Sequence, residues 1–312
     1  MEERAMKRFG SWLGLFMKDE RGGILVFVAV IIVVLLGLSA LAVDAGLLYQ
    51  TRRQMVNAAD AAALAGAQEL YYDSNWSNVE TYTENYAIAN FDCDDALVEQ
   101  VGNNGVKVTT VKNVDYLFAR FLGLTDSDVS ATATAMTYPK DFLEGLIPIG
   151  IPPYDYVAGE IFNLVNVANH EVFGPGNWGY VDLDAHPGGG VPQIEERIRD
   201  GYDEKVYIGQ TILTETGNKT APNKVQSEIQ YHIDEKNVLY VPIVDVLENV
   251  QTGVDQITIL GFAAIILTDL YTDGPGQSGQ LVVEGEFQRI IDVGQVEQGA
   301  PDYGLNVVKL VE

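Results

Sequence analysis

The first pattern in the chain is a long apolar run. Residues 24–43, ILVFVAVIIVVLLGLSALAV, contain no charged side chain. At about 1.5 Å per helical residue this run measures about 30 Å, the thickness of a bilayer's hydrocarbon core. The run therefore predicts a transmembrane helix. Cleavage after Ala42 is the alternative, because Ala40-Leu41-Ala42 fits a signal-peptide site, but the run is longer than a signal core.

Basic residues are distributed unevenly around this run. Positive charge concentrates on the cytoplasmic side of a membrane helix. We therefore predict a cytoplasmic amino terminus and an extracytoplasmic domain, at the cell surface or in the periplasm, after Asp44. The basic residues before the run are Arg4, Lys7, Arg8, Lys18 and Arg21, and those following closely are Arg52 and Arg53.

The helical pattern continues beyond the apolar run. Residues 44–72 contain no proline and are rich in alanine, which predicts a helical stalk continuous with the transmembrane helix. Small residues recur every fourth position, and such a surface lets another helix approach closely, in a homo-oligomer or with a partner. A bare stalk is the alternative, since alanine simply favours helix. Asp44 could instead lie at the outer membrane interface without a partner, and Asp60 could be a solvated charge. The residues predicted to pack are Asp44, Ala58, Ala59, Asp60, Ala62, Ala63, Gly66 and Ala67.

Residues 73–140 predict a small mixed α/β unit. A short helix should end near residue 90, and LVEQV and VKVTTV should form a hairpin around Gly102 to Gly105. The spacing of Val114, Leu117, Phe118, Phe121 and Leu122 predicts a helix that buries one face. The segment VSATATAMTY predicts a strand.

Residues 141–312 have the pattern of a mainly β domain. Glycine- and proline-rich turns separate runs of Val, Ile, Tyr and Thr, and one helix is predicted from Pro192 to Gly201. The fold class is therefore α+β: a transmembrane helix continuing as a stalk, a small α/β unit and a β-rich domain. The predicted domains are 1–23 (cytoplasmic basic tail), 24–43 (transmembrane helix), 44–72 (stalk), 73–140 and 141–312.

Charge and composition restrict the function. The formal net charge is −25, and the first 60 residues carry seven Lys/Arg and six Asp/Glu, so the β-rich domain is strongly acidic. Acidic surfaces repel nucleic acid, and we expect no such partner. The single cysteine, Cys93, excludes an internal disulfide.

Motifs for chemistry are weak. His170, His186 and His232 are isolated in sequence, so we predict no enzyme, no metal centre and no cofactor. The acidic runs DCDD, DSD and DLD could hold Ca²⁺ or be solvated turns, but none has the spacing of a calcium loop. Phe173, Trp178 and Tyr180 are candidates for a surface contact, such as stacking on a glycan, which defines an alternative function as a surface-anchored adhesive module.

One segment carries a family resemblance. The sequence has Arg-Gly, the apolar span, LAVDAG, paired arginines and NAADAAALAGA in this order, and later YAIANF and VSATATAMTYP. Residues 20–140 thereby resemble the TadE/TadG-like proteins of Flp (tight-adherence, Tad) pilus assembly. The resemblance implies a single-pass membrane protein of a type IV-related pilus or secretion system, whose partners are other pilus-assembly proteins or pilins.

The chain departs from the pilin pattern at one point. Pilin precursors of this system are cleaved after a glycine that has a glutamate five residues on, whereas Gly22 and Gly23 are followed at that distance by Phe27 and Val28. This departure favours an assembly factor or minor subunit that keeps its cytoplasmic tail.

Overall fold

The computed structural model describes residues 20–165, 177–184, 190–217, 223–245, 254–273 and 280–311. The chain divides into two compact units. The first unit comprises Met1–Ala63, Glu80–Glu99 and Lys107–Ala133, and the second comprises Leu64–Val79, Gln100–Val106 and Thr134–Glu312. Each unit is described by itself.

A single helix, α1, extends over Glu20–Tyr72 and confirms the predicted continuity from apolar run to stalk. It ends where Asp73 and Asn75 turn the chain: the Asp73 Oδ1 atom accepts the N–H of Asn75 at 2.8 Å. Asn75 Oδ1 in turn accepts the N–H of Ser77 at 3.2 Å. Such side-chain acceptors satisfy the free N–H groups at a helix start, and helix α2 follows at Trp76–Phe91.

Three strands and a short turn follow helix α2, and the first unit includes most of each strand. Strands β1 (Asp95–Val101), β2 (Gly105–Asp115) and β3 (Asp126–Pro139) are neighbours in this order, which confirms the hairpin and the strand predicted there. The helix predicted around residues 114–122 is wrong. Strand β2 continues to Asp115, and only a 3-10 helix at Ala119–Leu122 follows. The apolar spacing comes from a strand end and a turn whose large side chains are exposed.

The described part of the second unit is mainly antiparallel β structure, with two complete helices. Its elements are β4 Phe142–Leu143, β5 Ile161–Val165, β6 Asn177–Asp182, α3 Gly190–Asp200, β7 Val206–Tyr207, β8 Thr211–Thr216, α4 Asn223–Glu235, β9 Val238–Val244, β10 Gln256–Asp273, β11 Gln280–Gln288, β12 Ile290–Asp292 and β13 Leu305–Val311. The main sheet has the order β5-β11-β10-β8-β6, with β9 also on β10. The central strand β10 pairs with β8 and β9 through its first part and with β11 through its second part. Strand β13 pairs with the end of β3 and with β12.

Helix α3 confirms the predicted helix, and helix α4 was not predicted. Helix α4 places Val225 and Ile229 in the same core as Ile194 and Ile198 of α3. The segment TETGNKTAPN, which ends at the start of α4, is rich in turn residues, so the sequence did not indicate a helix there. The core also contains Phe287, whose ring stacks on Tyr156 at 3.8 Å between centroids. The predicted α+β class is confirmed, although the second unit holds more helix than expected.

Candidate membrane-proximal site

Asp44 lies directly after the apolar run and is the centre of the site. Its side chain is 3% exposed, and it accepts backbone N–H groups from a segment more than 70 residues later. Oδ1 accepts the N–H of Leu117 at 2.8 Å, and Oδ2 accepts those of Phe118 at 3.0 Å and Ala119 at 2.6 Å. Successive N–H groups of this kind form a concave anion-binding nest. The carboxylate therefore fastens the 3-10 turn to helix α1.

The electrostatics of this contact favour an ionised carboxylate. Burial by itself raises the pKa of Asp44, but the hydrogen bonds from Ala119, Leu117 and Phe118 and the charge of Arg120 outweigh it. The pKa of Asp44 is therefore lowered below its ordinary value. The sequence allowed Asp44 to lie at the membrane interface without a partner or to pair inside a helix bundle, and the structure gives it an intramolecular partner.

Large apolar side chains surround this contact without being buried. In residues 116–124, here called the apolar loop, the most exposed are Phe121 at 84% and Leu122 at 71%. The loop and helix α1 together line an apolar groove of about 370 Å³. Its lining residues are Val34, Gly37, Leu38, Ala40, Leu41, Phe118, Phe121 and Leu122.

The small-residue face of the stalk lies in the interior of the chain. Strand β2 contacts it, since Thr110 Oγ1 donates to the backbone oxygen of Met55 at 3.0 Å, and Gln54 of the same helix donates to the oxygen of Phe91 at 2.8 Å. Asp60 is half-buried at the edge of this face. The face is thus covered within the chain rather than presented to another helix. The buried small residues are Ala58, Ala59, Ala62, Ala63, Gly66 and Ala67.

The basic residues that predict orientation are only partly described. Arg52 and Arg53 are exposed on α1, and Arg53 lies over the ring of Tyr49 at 5.4 Å. Arg21 lies in helix α1, without a described side chain. The residues outside the described ranges are Arg4, Lys7, Arg8 and Lys18.

The aromatic residues predicted as a surface contact do not form one at Tyr180. Tyr180 is 1% exposed in the core of the second unit, and this burial corrects the prediction for that residue. The backbone of Trp178 lies in strand β6, and Phe173 falls outside the described residues. Tyr180 lies on strand β6 and packs in the same core as Ile149 and Ile198.

Titratable groups elsewhere make structural contacts. His232 is buried, and its Nε2 and Nδ1 atoms lie 2.8 Å from the Ile198 oxygen and 3.0 Å from the Asn237 amide. His170 and His186 fall outside the described residues. Arg197 bridges Asp182 at 3.2 Å and Asp184 at 2.6 Å. Burial, together with the neighbouring Asp184, raises the pKa of Asp182 to about 6.

Acidic runs that could bind a cation are partly engaged in other contacts. Asp94 accepts the Lys112 ammonium at 3.0 Å and the N–H of Asn113 at 2.8 Å. The Asn113 amide donates to Asp128 at 2.7 Å. Among the residues the structure describes, no group of three or more His, Cys, Asp or Glu is arranged to hold a metal ion. Binding of Ca²⁺ stays an untested prediction.

These features define a class of protein in which one long apolar helix continues into an α+β structure. The helix meets the length and hydropathy of a membrane span, with mean hydropathy 3.3 and no buried residue in its most apolar window, which supports membrane anchoring. Residues 22–69 match the family model Tad, described as putative Flp pilus-assembly TadE/G-like. No curated protein and no solved structure matches the chain.

Proposed function

We propose that this chain is a non-enzymatic, membrane-anchored component of a Tad/Flp-type pilus or secretion system, as an assembly factor or a minor pilin-like subunit. The observation that carries the proposal is helix α1 itself, because the family match ends near the end of this helix. The matched segment includes the exposed apolar run and the buried small-residue face. One helix therefore combines a membrane anchor with the core of the first unit.

The proposed topology has the amino terminus in the cytoplasm and the chain after Asp44 outside the membrane. The excess of basic residues before the span supports this orientation. The single natural cysteine makes it testable, because Cys93 is buried and reacts poorly. In intact cells or spheroplasts, a membrane-impermeant maleimide should label Glu84→Cys and should label Lys7→Cys only after lysis. The reverse pattern would refute the orientation.

Partners are proposed to contact the span rather than the stalk. The side chains of Leu25, Phe27 and Leu36 on α1 are 64% to 76% exposed, whereas the small-residue face of the stalk is occupied within the chain. A homo-oligomer through that face would require the first unit to open. We therefore place helix packing with pilins or assembly proteins within residues 24–43.

Deletion of the gene tests the proposal most broadly. We expect loss of surface filaments and of the partners' membrane complexes, restored by the wild-type chain. A photo-crosslinking amino acid at Leu36 should capture a pilus-system protein, whereas the same group at Glu84, on the exposed surface of α2, serves as the matched control. Unchanged filaments and unchanged complexes in the deletion strain would refute the proposal, and specific glycan binding by the full chain would favour the adhesive alternative.

A further inference from the structure

We propose that the apolar loop, residues 116–124, is inserted into the outer leaflet of the membrane as a second lipid contact beside helix α1. This inference rests on the proposed membrane anchoring and adds a lipid-binding surface to it. The occupant of the groove between loop and helix is then a lipid acyl chain.

Depth along the helix supports the inference. The groove is lined by Val34 through Leu41 of α1, which precede the end of the apolar run at Val43 by roughly 3 to 14 Å at 1.5 Å per residue. One leaflet's hydrocarbon layer is about 15 Å thick. A loop that lies against these residues shares their depth. The medium around Phe121 and Leu122 is therefore the medium that surrounds the helix.

Chemistry of the loop fits that depth. The sequence YLFARFLGL contains no acidic residue, and its one charge is Arg120. Long cationic side chains place their charge at the headgroup level while their carbon chain stays in the apolar layer. The acidic character of the rest of the chain is thus interrupted at this loop. The nearest acidic residues, Asp115 and Asp126, lie on the flanking strands.

Several backbone N–H groups of the apolar loop are hydrogen-bonded within the chain, as an apolar medium requires. Unsatisfied N–H groups are costly in lipid, so backbone enters the hydrocarbon region only when its polar groups are paired. Asp44 accepts the N–H groups of Leu117, Phe118 and Ala119. Turn hydrogen bonds satisfy others, including Gly123 on Arg120 at 3.1 Å and Leu124 on Ala119 at 3.2 Å. The Asp44 contact therefore explains both the position of the loop and its tolerance of lipid.

Depth-dependent fluorescence quenching tests the proposal. The full-length chain, carrying Cys93→Ala, is reconstituted in phosphatidylcholine vesicles with an environment-sensitive dye on Phe121→Cys, and on Leu124→Cys as a second loop position. Leu36→Cys is the control within the span, and Glu84→Cys is the control in water. Quenchers are a nitroxide on the lipid acyl chain and iodide in solution.

We expect the nitroxide to quench the Phe121 dye to the same extent as the Leu36 dye, and iodide quenching of both to be severalfold weaker than at Glu84. If the Phe121 dye behaves like the Glu84 dye while Leu36 is quenched by lipid, the loop lies in water and this inference is wrong, with membrane anchoring intact. If Leu36 also escapes lipid quenching, the proposed anchoring itself is wrong. Protection of Phe121 from both quenchers would mean that protein covers the loop, which also overturns the inference.

Discussion

Substitution of Ala59 by leucine should destabilise the first unit, because the stalk face is buried in the chain. Ala59 is fully buried, and a leucine there adds three carbon atoms where other parts of the chain are packed. Inserted methylenes typically cost about 1 to 3 kcal/mol, and the added volume puts this change near 3 kcal/mol. At about 1.4 kcal/mol per factor of ten, the unfolding equilibrium should shift by roughly a hundredfold.

Pulse proteolysis of the full chain in micelles, over a urea series, measures this effect. With a slope of about 2 kcal/mol per molar urea, the midpoint of the first unit should fall by about 1.5 M. Ala45→Leu is the matched control, since Ala45 is exposed on the same helix, and it should leave the midpoint within about 0.3 M. An unchanged midpoint for Ala59→Leu would mean that the stalk face is free for a partner helix and is not covered within the chain.

Three further predictions concern single side chains. Asp44→Asn should speed hydrogen exchange at the amides of residues 117–119, and unchanged exchange in the variant would contradict the contact. Because the pKa of Asp44 is lowered in the folded state, the wild-type protection should be present at neutral pH and lost as pH falls. Asp182 has a raised pKa, so its contribution to stability should fall as pH rises from 3.8 to about 6. Asp182→Asn should flatten that part of the profile of unfolding free energy against pH, measured by denaturation, and parallel profiles for the two proteins would contradict the raised pKa. Phe287→Ala should lower the unfolding free energy of the second unit by about 3 to 5 kcal/mol, because Phe287 is buried. Phe121→Ala should cost less than about 0.5 kcal/mol, because Phe121 is exposed, and equal effects would contradict the assigned core.

The helices and strands with strong local patterns could be predicted from sequence. The apolar length of residues 24–43 and the absence of proline up to residue 72 predict α1, and glycine and asparagine at 102–105 predict the hairpin. These elements depend on nearest neighbours in the chain, so the sequence contains the information that determines them.

The site itself could be predicted only in part. Asp44 is recognisable in sequence as the first charge after the apolar run. Its partners, however, lie more than 70 residues away. They are backbone N–H groups, which no side-chain pattern predicts. The residues from Leu117 to Leu122 have a helical spacing, yet the turn that Asp44 fixes exposes them instead of burying one face. The sequence predicts the small-residue face of the stalk. It does not predict that residues of the same chain pack on this face, because that packing depends on tertiary structure.

The proposed function requires that the chain stays anchored in the membrane by an uncleaved helix α1. Native cells are separated into cytoplasm, membranes, sheared surface filaments and medium, and the intact mass and amino-terminal sequence of this protein are measured in each. We expect a full-length chain in the membrane fraction, with enrichment in sheared filaments if it is a minor subunit. A chain that begins at Val43 and occurs in the medium would mean that the apolar run is a cleaved signal peptide and that the protein is not membrane-anchored.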